Sequence, residues 1–213
     1  LTIVGAVVFI KYGHHFKTQH ESGIIRRGLH IQERVDRQAA LAALRDRDPD
    51  FNEQAFLGRV GQAFLVIQEA WSRQDLGRAQ WFVSDGIVER FLLQFEEQRR
   101  EGYRNDMKDV SVQQMSVAQV DSDAIFDTIT VRITASAMDT RVDLESGQTN
   151  SGSKAPTIFT EFWSFARRPG ARTLARLGVL EGNCPNCGAA LEINENARCQ
   201  SCGAVARSGE YDW

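Results

Sequence analysis

The chain has 213 residues, of which 42% are hydrophobic and 25% are charged, and its formal net charge is −3. This composition is ordinary for a soluble globular protein and excludes wholesale disorder, and the length suffices for one medium domain with small appendages. Residues 1–47 hold eight Lys or Arg against four Asp or Glu, whereas residues 48–213 hold seventeen against twenty-four. A basic arm on an acidic body is a poor nucleic-acid footprint, although the arm can contact phosphate or anionic lipid.

The first ten residues, LTIVGAVVFI, are apolar throughout. Because a bilayer span needs about 20 residues, we interpret residues 1–18 as the end of a transmembrane anchor. Lys11 and Lys17 follow at once, and positive charge there predicts that the main domain lies on the cytoplasmic side of the inner or plasma membrane, or on the matrix side in a mitochondrion. A buried strand and a signal-peptide core are the alternatives.

Residues 19–47 form a predicted basic helical arm with a weak apolar stripe that includes Ala39 and Ala42. Such a helix can lie on an acidic membrane surface or rest against the body of the protein, and a solvated charged helix is the plainer alternative. The residues predicted to contact the membrane or its lipids, in the anchor and the arm together, are Lys11, Lys17, Arg26, Arg27, Arg34 and Arg37.

A long amphipathic helix is predicted between Asp50 and Trp81, with Asp50 as its N-cap and Glu53 completing a capping box. Its apolar residues recur at intervals of three and four. They are Phe56, Val60, Ala63, Phe64, Ile67, Ala70 and Trp71. Burying this stripe should contribute more than about 10 kcal/mol before the entropy cost, so a broad apolar surface must cover it.

A third helix is predicted after Ser84, its expected N-cap, and it should end near Gly102. Its apolar stripe is Ile87, Val88, Phe91, Leu92 and Phe95.

The hydrophobic period then changes from 3.6 to 2, which indicates strands. Strands are predicted at 110–120, with one slip that suggests a bulge, at 125–144, at 157–167, and at a final segment that ends near Val179. Residues 145–154 read as a hairpin loop. Helices followed by about four antiparallel strands predict an α+β fold, in which the helices pack on a curved four-stranded antiparallel sheet.

A sheet curved into a cone can hold a ligand cavity at its mouth. Phe159, Trp163 and Phe165 share one face of the strongest strand and are the candidate cavity lining. Plain core is the usual role of such aromatic strand faces and stays the alternative.

The four cysteines of the chain are Cys184, Cys187, Cys199 and Cys202. They form two Cys-x-x-Cys-Gly knuckles, in which two intervening residues let both sulfurs face one ion and the glycine lets the backbone turn its N–H groups toward the thiolates. The pattern predicts a structural Cys₄ zinc ribbon at residues 181–213, because so short a unit cannot build a core of its own. Two disulfides and a redox dithiol are the alternatives.

Four features together resemble the Tim44-like family, named after the membrane-bound subunit of the mitochondrial inner-membrane protein translocase. They are the apolar opening, the basic arm, Asp48-Pro49-Asp50-Phe51 at a helix start, and the strand Thr160-Glu161-Phe162-Trp163-Ser164-Phe165-Ala166-Arg167. The resemblance covers roughly residues 48–180.

The resemblance implies a fold similar to the cystatin-like and nuclear-transport-factor-two-like cones. It also implies a role in recruiting a chaperone to a translocon, holding ribosomes at a membrane or forming part of a mitochondrial ribosome, together with peripheral binding of acidic lipid. Some bacterial members carry a zinc ribbon after the domain.

Two functions follow as hypotheses. The first is a membrane-anchored, non-enzymatic scaffold that binds a protein partner or acidic lipid and serves protein translocation or membrane-protein assembly. The second is a cavity-bearing enzyme of the isomerase or dehydratase shape, with Asp127, Asp139 or Glu161 as a base, although no nucleophile–base pair is visible and all four histidines lie within residues 14–30, outside the cone. A nucleic-acid partner is not expected, because residues 181–213 hold two arginines against five acidic residues.

Overall fold

A computed structural model of the chain describes residues 3–7, as backbone, together with residues 36–192 and 197–213. Helix α1 covers residues 36–47, α2 covers Glu53–Arg73 and α3 covers Asp85–Arg100. A 3₁₀ turn, Gly77–Trp81, joins α2 to α3. Among these residues no helix has the length and apolar character needed to cross a membrane.

The antiparallel sheet is formed by strands β1 (Ile3–Val7), β2 (Tyr103–Ser122), β3 (Asp127–Asp143), β4 (Thr149–Gly152) and β5 (Thr157–Arg167). The strand order is β1-β5-β3-β2, and β4 pairs with the end of β3. The architecture is therefore α+β, as the sequence predicts, with helices packed on an antiparallel sheet.

Helix α2 confirms the predicted stripe, since Phe56, Val60, Phe64 and Ile67 are buried. Its cap differs from the prediction. Asn52 caps the helix, its side-chain oxygen accepting the Ala55 N–H at 2.9 Å. Asp50 lies in the preceding turn and Glu53 pairs with Arg45, so the predicted capping box is wrong.

The other helices bury narrower stripes than the sequence indicates. In α3, Ile87, Phe91 and Phe95 are buried along one line, whereas Leu92, a further 100° around the helix, is exposed. In α1 the buried residues are Leu41 and Leu44. Ala39 and Ala42 are exposed, which corrects the stripe predicted for the arm.

The predicted final strand near Val179 is wrong, because residues 171–178 follow an irregular path. Strand β1 occupies the edge of β5 where such a strand would pair, and the Thr173 N–H donates to Asp48 instead. Ile3–Val7 thus adopts the strand that was the alternative to a helical anchor. The remainder of the anchor segment lies outside the described residues.

Strand β2 carries three register shifts, where the sequence predicted one. Each inserts an extra residue, which bends the strand and increases its twist. The longest strand of the sheet therefore curves, and α2 packs against it.

Aromatic side chains fill the space between α2 and the sheet. Phe64 lies 5.3 Å from Trp163 and Phe56 lies 5.5 Å from Phe165, between ring centroids. On the other side of α2, the Trp71 ring lies 5.5 Å from Phe91 of α3. These spacings fall in the range where offset or edge-to-face ring pairs are favourable.

A buried ion pair joins the end of α1 to the end of β5. Arg167 Nη1 donates to Asp48 Oδ2 at 2.6 Å, and each residue is only 1% exposed. The Thr173 backbone N–H and hydroxyl also donate to Asp48, at 3.1 and 2.7 Å. Burial raises the pKa of Asp48, but the hydrogen bonds from Arg167 and Thr173 and the Arg167 charge outweigh it, so the carboxyl pKa is below its ordinary value.

We expect Asp48→Asn to lower the free energy of unfolding by about 3–5 kcal/mol, because it leaves the Arg167 charge buried without a counter-ion. Urea denaturation at pH 7 measures the loss. The matched control is Glu69→Gln, which breaks the exposed Glu69–Arg73 pair and should cost less than about 1 kcal/mol.

The stabilisation that the Asp48 carboxylate contributes should depend on pH in a definite direction. A carboxyl whose native pKa is lowered stabilises the fold above its unfolded pKa, about 3.9, and this stability is lost as the pH falls through the native pKa. The difference in free energy of unfolding between wild type and Asp48→Asn should therefore become smaller as the pH is lowered. A constant gap from pH 7 down to pH 3 would contradict the assignment.

Candidate metal centre

The two cysteine knuckles have the same backbone geometry. In the first, Cys184 N donates to Ala189 O at 2.7 Å and Gly188 N donates to Cys184 O at 2.9 Å. In the second, the corresponding bonds are Cys199 N to Ala204 O at 2.9 Å and Gly203 N to Cys199 O at 2.8 Å. Both glycines adopt a positive φ, 79° and 73°, which side-chain-bearing residues rarely do.

The four thiols converge on one point. Their sulfur atoms all lie within 4.8 Å of one another, and the Cys184–Cys202 and Cys187–Cys199 sulfur pairs are each 3.7 Å apart. Four sulfurs about 2.3 Å from a central ion, at the corners of a tetrahedron, would be about 3.8 Å apart. A disulfide needs about 2.05 Å, and the four cysteines are free thiols. The residues therefore fit a tetrahedral metal ion.

Backbone N–H groups point at the sulfur atoms, as the knuckle sequence predicts. Burial raises the pKa of Cys184 to about 12, even though the N–H groups of Cys187 and Asn186 favour its thiolate. Burial also acts on Cys199, but there the N–H groups of Cys202 and Ser201 and the neighbouring thiols outweigh it and lower the pKa to about 7. A cation among the sulfurs would favour the thiolate form of all four.

Among its described residues, the ribbon has almost no hydrophobic core of its own apart from this centre. Its own buried cluster consists of Cys184, Cys199 and Ala204, with Leu191 and Tyr211 packed around it. Because all four ligand positions are cysteines, a bound ion would have no open coordination site, which is the arrangement of structural rather than catalytic metal centres.

The ribbon docks on the body of the protein through its last residues. Trp213 is buried, with its ring 6.0 Å from Phe51 and 5.8 Å from Phe56. The Arg167 guanidinium lies 4.2 Å from the Trp213 ring centroid, in cation–π geometry. Next to it, Arg59 Nη1 donates to Asp212 Oδ2 at 2.7 Å. The ribbon is therefore an integral part of the core and not a trailing appendage.

Further contacts hold the ribbon along its length. Arg168 N donates to Gly209 O at 2.7 Å, and Arg207 Nη1 donates to Gln80 O at 3.1 Å while its Nη2 pairs with Asp85. Ala197 and Ala206 belong to the main hydrophobic core.

The three carboxylates considered as bases are each engaged by a neighbour. Asp127 pairs with Arg47 at 2.9 Å, and Asp139 accepts from an asparagine side chain at 2.7 Å. Glu161 is buried and accepts the Trp163 Nε1–H at 2.8 Å. Burial raises the pKa of Glu161, and the indole hydrogen bond opposes this only in part.

The candidate cavity residues lie between α2 and the sheet. Trp163 and Phe165 are fully buried, and Phe159 packs 6.4 Å from Phe64, between ring centroids. A shallow, open depression of about 710 Å³ lies elsewhere, between α2 and β2. Its lining includes Leu65, Ser72, Arg73, Arg104, Asp106 and Met107.

Of the predicted lipid-contacting residues, the structure describes Arg37 alone. Its Nη1 donates to Val117 O at 3.1 Å, so this side chain fastens α1 to β2. Lys11, Lys17, Arg26, Arg27 and Arg34 lie outside the described residues.

The Tim44-like domain model matches residues 37–175, well over half of the chain. The chain belongs to the Tim44-like domain family. A comparison with curated proteins gives no match. Tim44-like domains associate with membranes, and membership indicates a membrane-associated role related to protein translocation.

The motif that carried the resemblance has a structural meaning in this Tim44-like domain. Along β5, Trp163 and Phe165 pack on α2, Glu161 accepts from Trp163, and Arg167 pairs with Asp48. The match ends at residue 175, so the ribbon lies beyond it, yet Trp213 completes the same core.

Sequence reasoning missed Asp48, Arg167 and Trp213 as interacting residues. An arginine ending an apolar strand and an aromatic residue after a cysteine knuckle were weak signals, because neither identifies a partner so distant in sequence.

We expect the protein to contain one metal ion per chain and Cys199→Ser to lose it. Without the ion, hydrogen exchange should accelerate throughout residues 197–213 and also around Phe51, because Trp213 leaves the core. Elemental analysis and hydrogen-exchange mass spectrometry provide the two readouts. Ser201→Ala, inside the same knuckle but with no ligand removed, should match wild type. If residues 197–213 of the metal-free protein exchanged as slowly as those of the metal-bound protein, the predicted link between metal binding and the packing of Trp213 would be wrong.

We expect Glu161→Gln to stabilise the protein above neutral pH and to make little difference in acid. A carboxyl whose native pKa is raised favours the fold below its unfolded pKa, and this contribution is lost as the pH rises through the native pKa. Glutamine keeps the acceptor for Trp163 and removes the charge. Thermal unfolding between pH 4 and pH 9 measures the effect, with exposed Glu97→Gln as control. Parallel pH profiles for wild type and Glu161→Gln would refute this prediction.

Proposed function

We propose that this protein is a membrane-associated, non-enzymatic scaffold that binds a protein partner during protein translocation or membrane-protein assembly. The observation that carries the proposal is the Tim44-like domain match over residues 37–175. The docking of the ribbon through Trp213, Asp212 and Arg207 supports it, because a scaffold must hold two surfaces in a fixed relation.

We infer that zinc is the ion of the Cys₄ centre and that its role is structural. Four thiolates in a tetrahedron are a typical zinc donor set, and Zn²⁺ has no geometric preference that the knuckles would have to satisfy. Thiolate ligation also suits a reducing compartment, in agreement with a main domain on the cytoplasmic side of the inner or plasma membrane.

The proposed membrane contacts are Lys11 and Lys17, which precede the basic arm, and Arg26, Arg27 and Arg34 within it. Basic segments of this kind are attracted to the negative surface potential of anionic leaflets. Arg37 is engaged with β2 and is left out of this set. Since Ile3–Val7 is a strand, the proposal rests on the arm and not on a transmembrane helix.

The non-enzymatic part of the proposal rests on the candidate bases. Asp127 is paired with Arg47, and the buried Glu161 accepts the indole N–H of Trp163. A general base must lie within hydrogen-bond distance of the substrate proton that it removes. Glu161 lies in the aromatic core beside Trp163 instead.

We expect the full-length protein, expressed at native level, to sediment with membranes and to resist extraction in ordinary salt. Chemical crosslinking before solubilisation in detergent should recover components of a protein-translocation or insertion apparatus, identified by mass spectrometry. An unrelated membrane-associated protein of similar abundance serves as control. Recovery in the soluble fraction, or crosslinks no different from the control, would count against the scaffold.

A further inference from the structure

One exposed segment differs in charge from the body that carries it. We define the basic loop as residues 168–178, RPGARTLARLG, which follow β5. It holds the exposed Arg168, Arg172 and Arg176 and has no acidic residue. Residues 48–213 as a whole hold seventeen Lys or Arg against twenty-four Asp or Glu, so this positive segment lies on an acidic domain.

The basic loop is fixed at several points. Arg168 N donates to Gly209 O at 2.7 Å, and Ala171 N donates to Arg168 O at 3.1 Å. In the middle, Thr173 is held by the buried Asp48, and further on Arg176 donates to Pro185 O. The conformation of the loop is thus set by both the domain and the ribbon, and it leaves Arg172, Leu174 and Leu177 exposed.

Two leucines of the basic loop face solvent. Leu174 is 47% exposed and Leu177 is 61% exposed, although each stands within three residues of a buried or anchored neighbour. Beside them, the Arg168 guanidinium lies 4.5 Å from the Phe126 ring centroid, which brings the β2–β3 turn next to the loop. Ile125 at that turn is also exposed. Asp123, the acidic residue of the turn, accepts the N–H groups of Ile125 and Phe126.

We propose that the basic loop contacts the anionic leaflet of a membrane, with its arginines at the phosphates and Leu174 and Leu177 in the interface. Arginine beside protruding aliphatic side chains matches the layering of a bilayer surface, where phosphate lies above hydrocarbon. The depression between α2 and β2 lies elsewhere, and the loop offers exposed arginine and leucine side chains instead of a pocket for a shaped protein partner. The inference rests on the proposed membrane association and identifies a second contact besides the arm.

The test uses the full chain and vesicles of phosphatidylcholine, with and without about a third of phosphatidylglycerol. Flotation gives the partition coefficient for wild type, Arg172→Glu and the double variant Leu174→Ser/Leu177→Ser. We expect tighter binding to anionic vesicles, weakened by added salt, and a loss of about tenfold or more for Arg172→Glu, since each surface cation adds about that order of attraction.

Matched controls come from α3, which also exposes arginine and leucine. Arg90→Glu and Leu92→Ser/Leu93→Ser alter side chains of equal type and similar exposure, 53% and 60% for the leucines. They should retain wild-type partition. Thermal unfolding confirms that all variants are folded, and a variant that fails is replaced by Arg172→Gln or by Leu174→Ser alone.

The outcomes separate the two proposals. If wild type and all variants bind anionic vesicles equally, the proposed membrane contact of the basic loop is wrong, while the proposed contact of the arm is unaffected. If wild type binds no vesicle, membrane association fails together with the loop. If loop variants keep vesicle binding but lose a crosslink to an acidic protein, the surface serves a protein partner and the lipid assignment is wrong.

Discussion

The buried Asp48–Arg167 pair is the constraint on which the rest of the arrangement depends. A charge in the interior must be neutralised and hydrogen-bonded, or the fold loses several kcal/mol. The contacts of Asp48 and Arg167 bring together the end of α1, the end of β5, the loop through Thr173 and the ring of Trp213. Four stretches that are far apart in sequence therefore meet at this one buried pair, and these contacts join the Tim44-like domain to the ribbon.

The cysteine cluster and the aromatic core each order a different part of the ribbon. The thiols organise two knuckles whose own buried cluster is very small, and Trp213 then joins the large cluster formed by α2 and the sheet. The orientation of the ribbon is set by Arg59 with Asp212 and by Arg207 with Asp85. A protein that must hold partners in register gains from such docking, because an independent ribbon on a linker would sample many orientations.

The parts of the fold that sequence predicts are those with a local signature. The 3.6-residue stripe of α2, the two-residue alternation of β5 and the paired Cys-x-x-Cys-Gly knuckles all correspond to the structure. The failures are non-local. A strand is predicted through residues 171–178 because they follow the turn after β5, but the edge of β5 is taken by Ile3–Val7. Likewise, nothing near Asp48 in sequence indicates a partner 119 residues away, and the protonation bias of Glu161 arises only from the core around it.

The burial of Trp213 has a consequence for biosynthesis. Trp213, whose ring packs on Phe51 and Phe56, is synthesised long after them, and Asp212 follows its partner Arg59 by 153 residues. At ordinary elongation rates of about 5–20 residues per second, that interval is roughly 8–30 s. During this time the apolar surface around Phe51 and Phe56 lacks the ring that covers it, so the domain completes its core only after the ribbon has emerged.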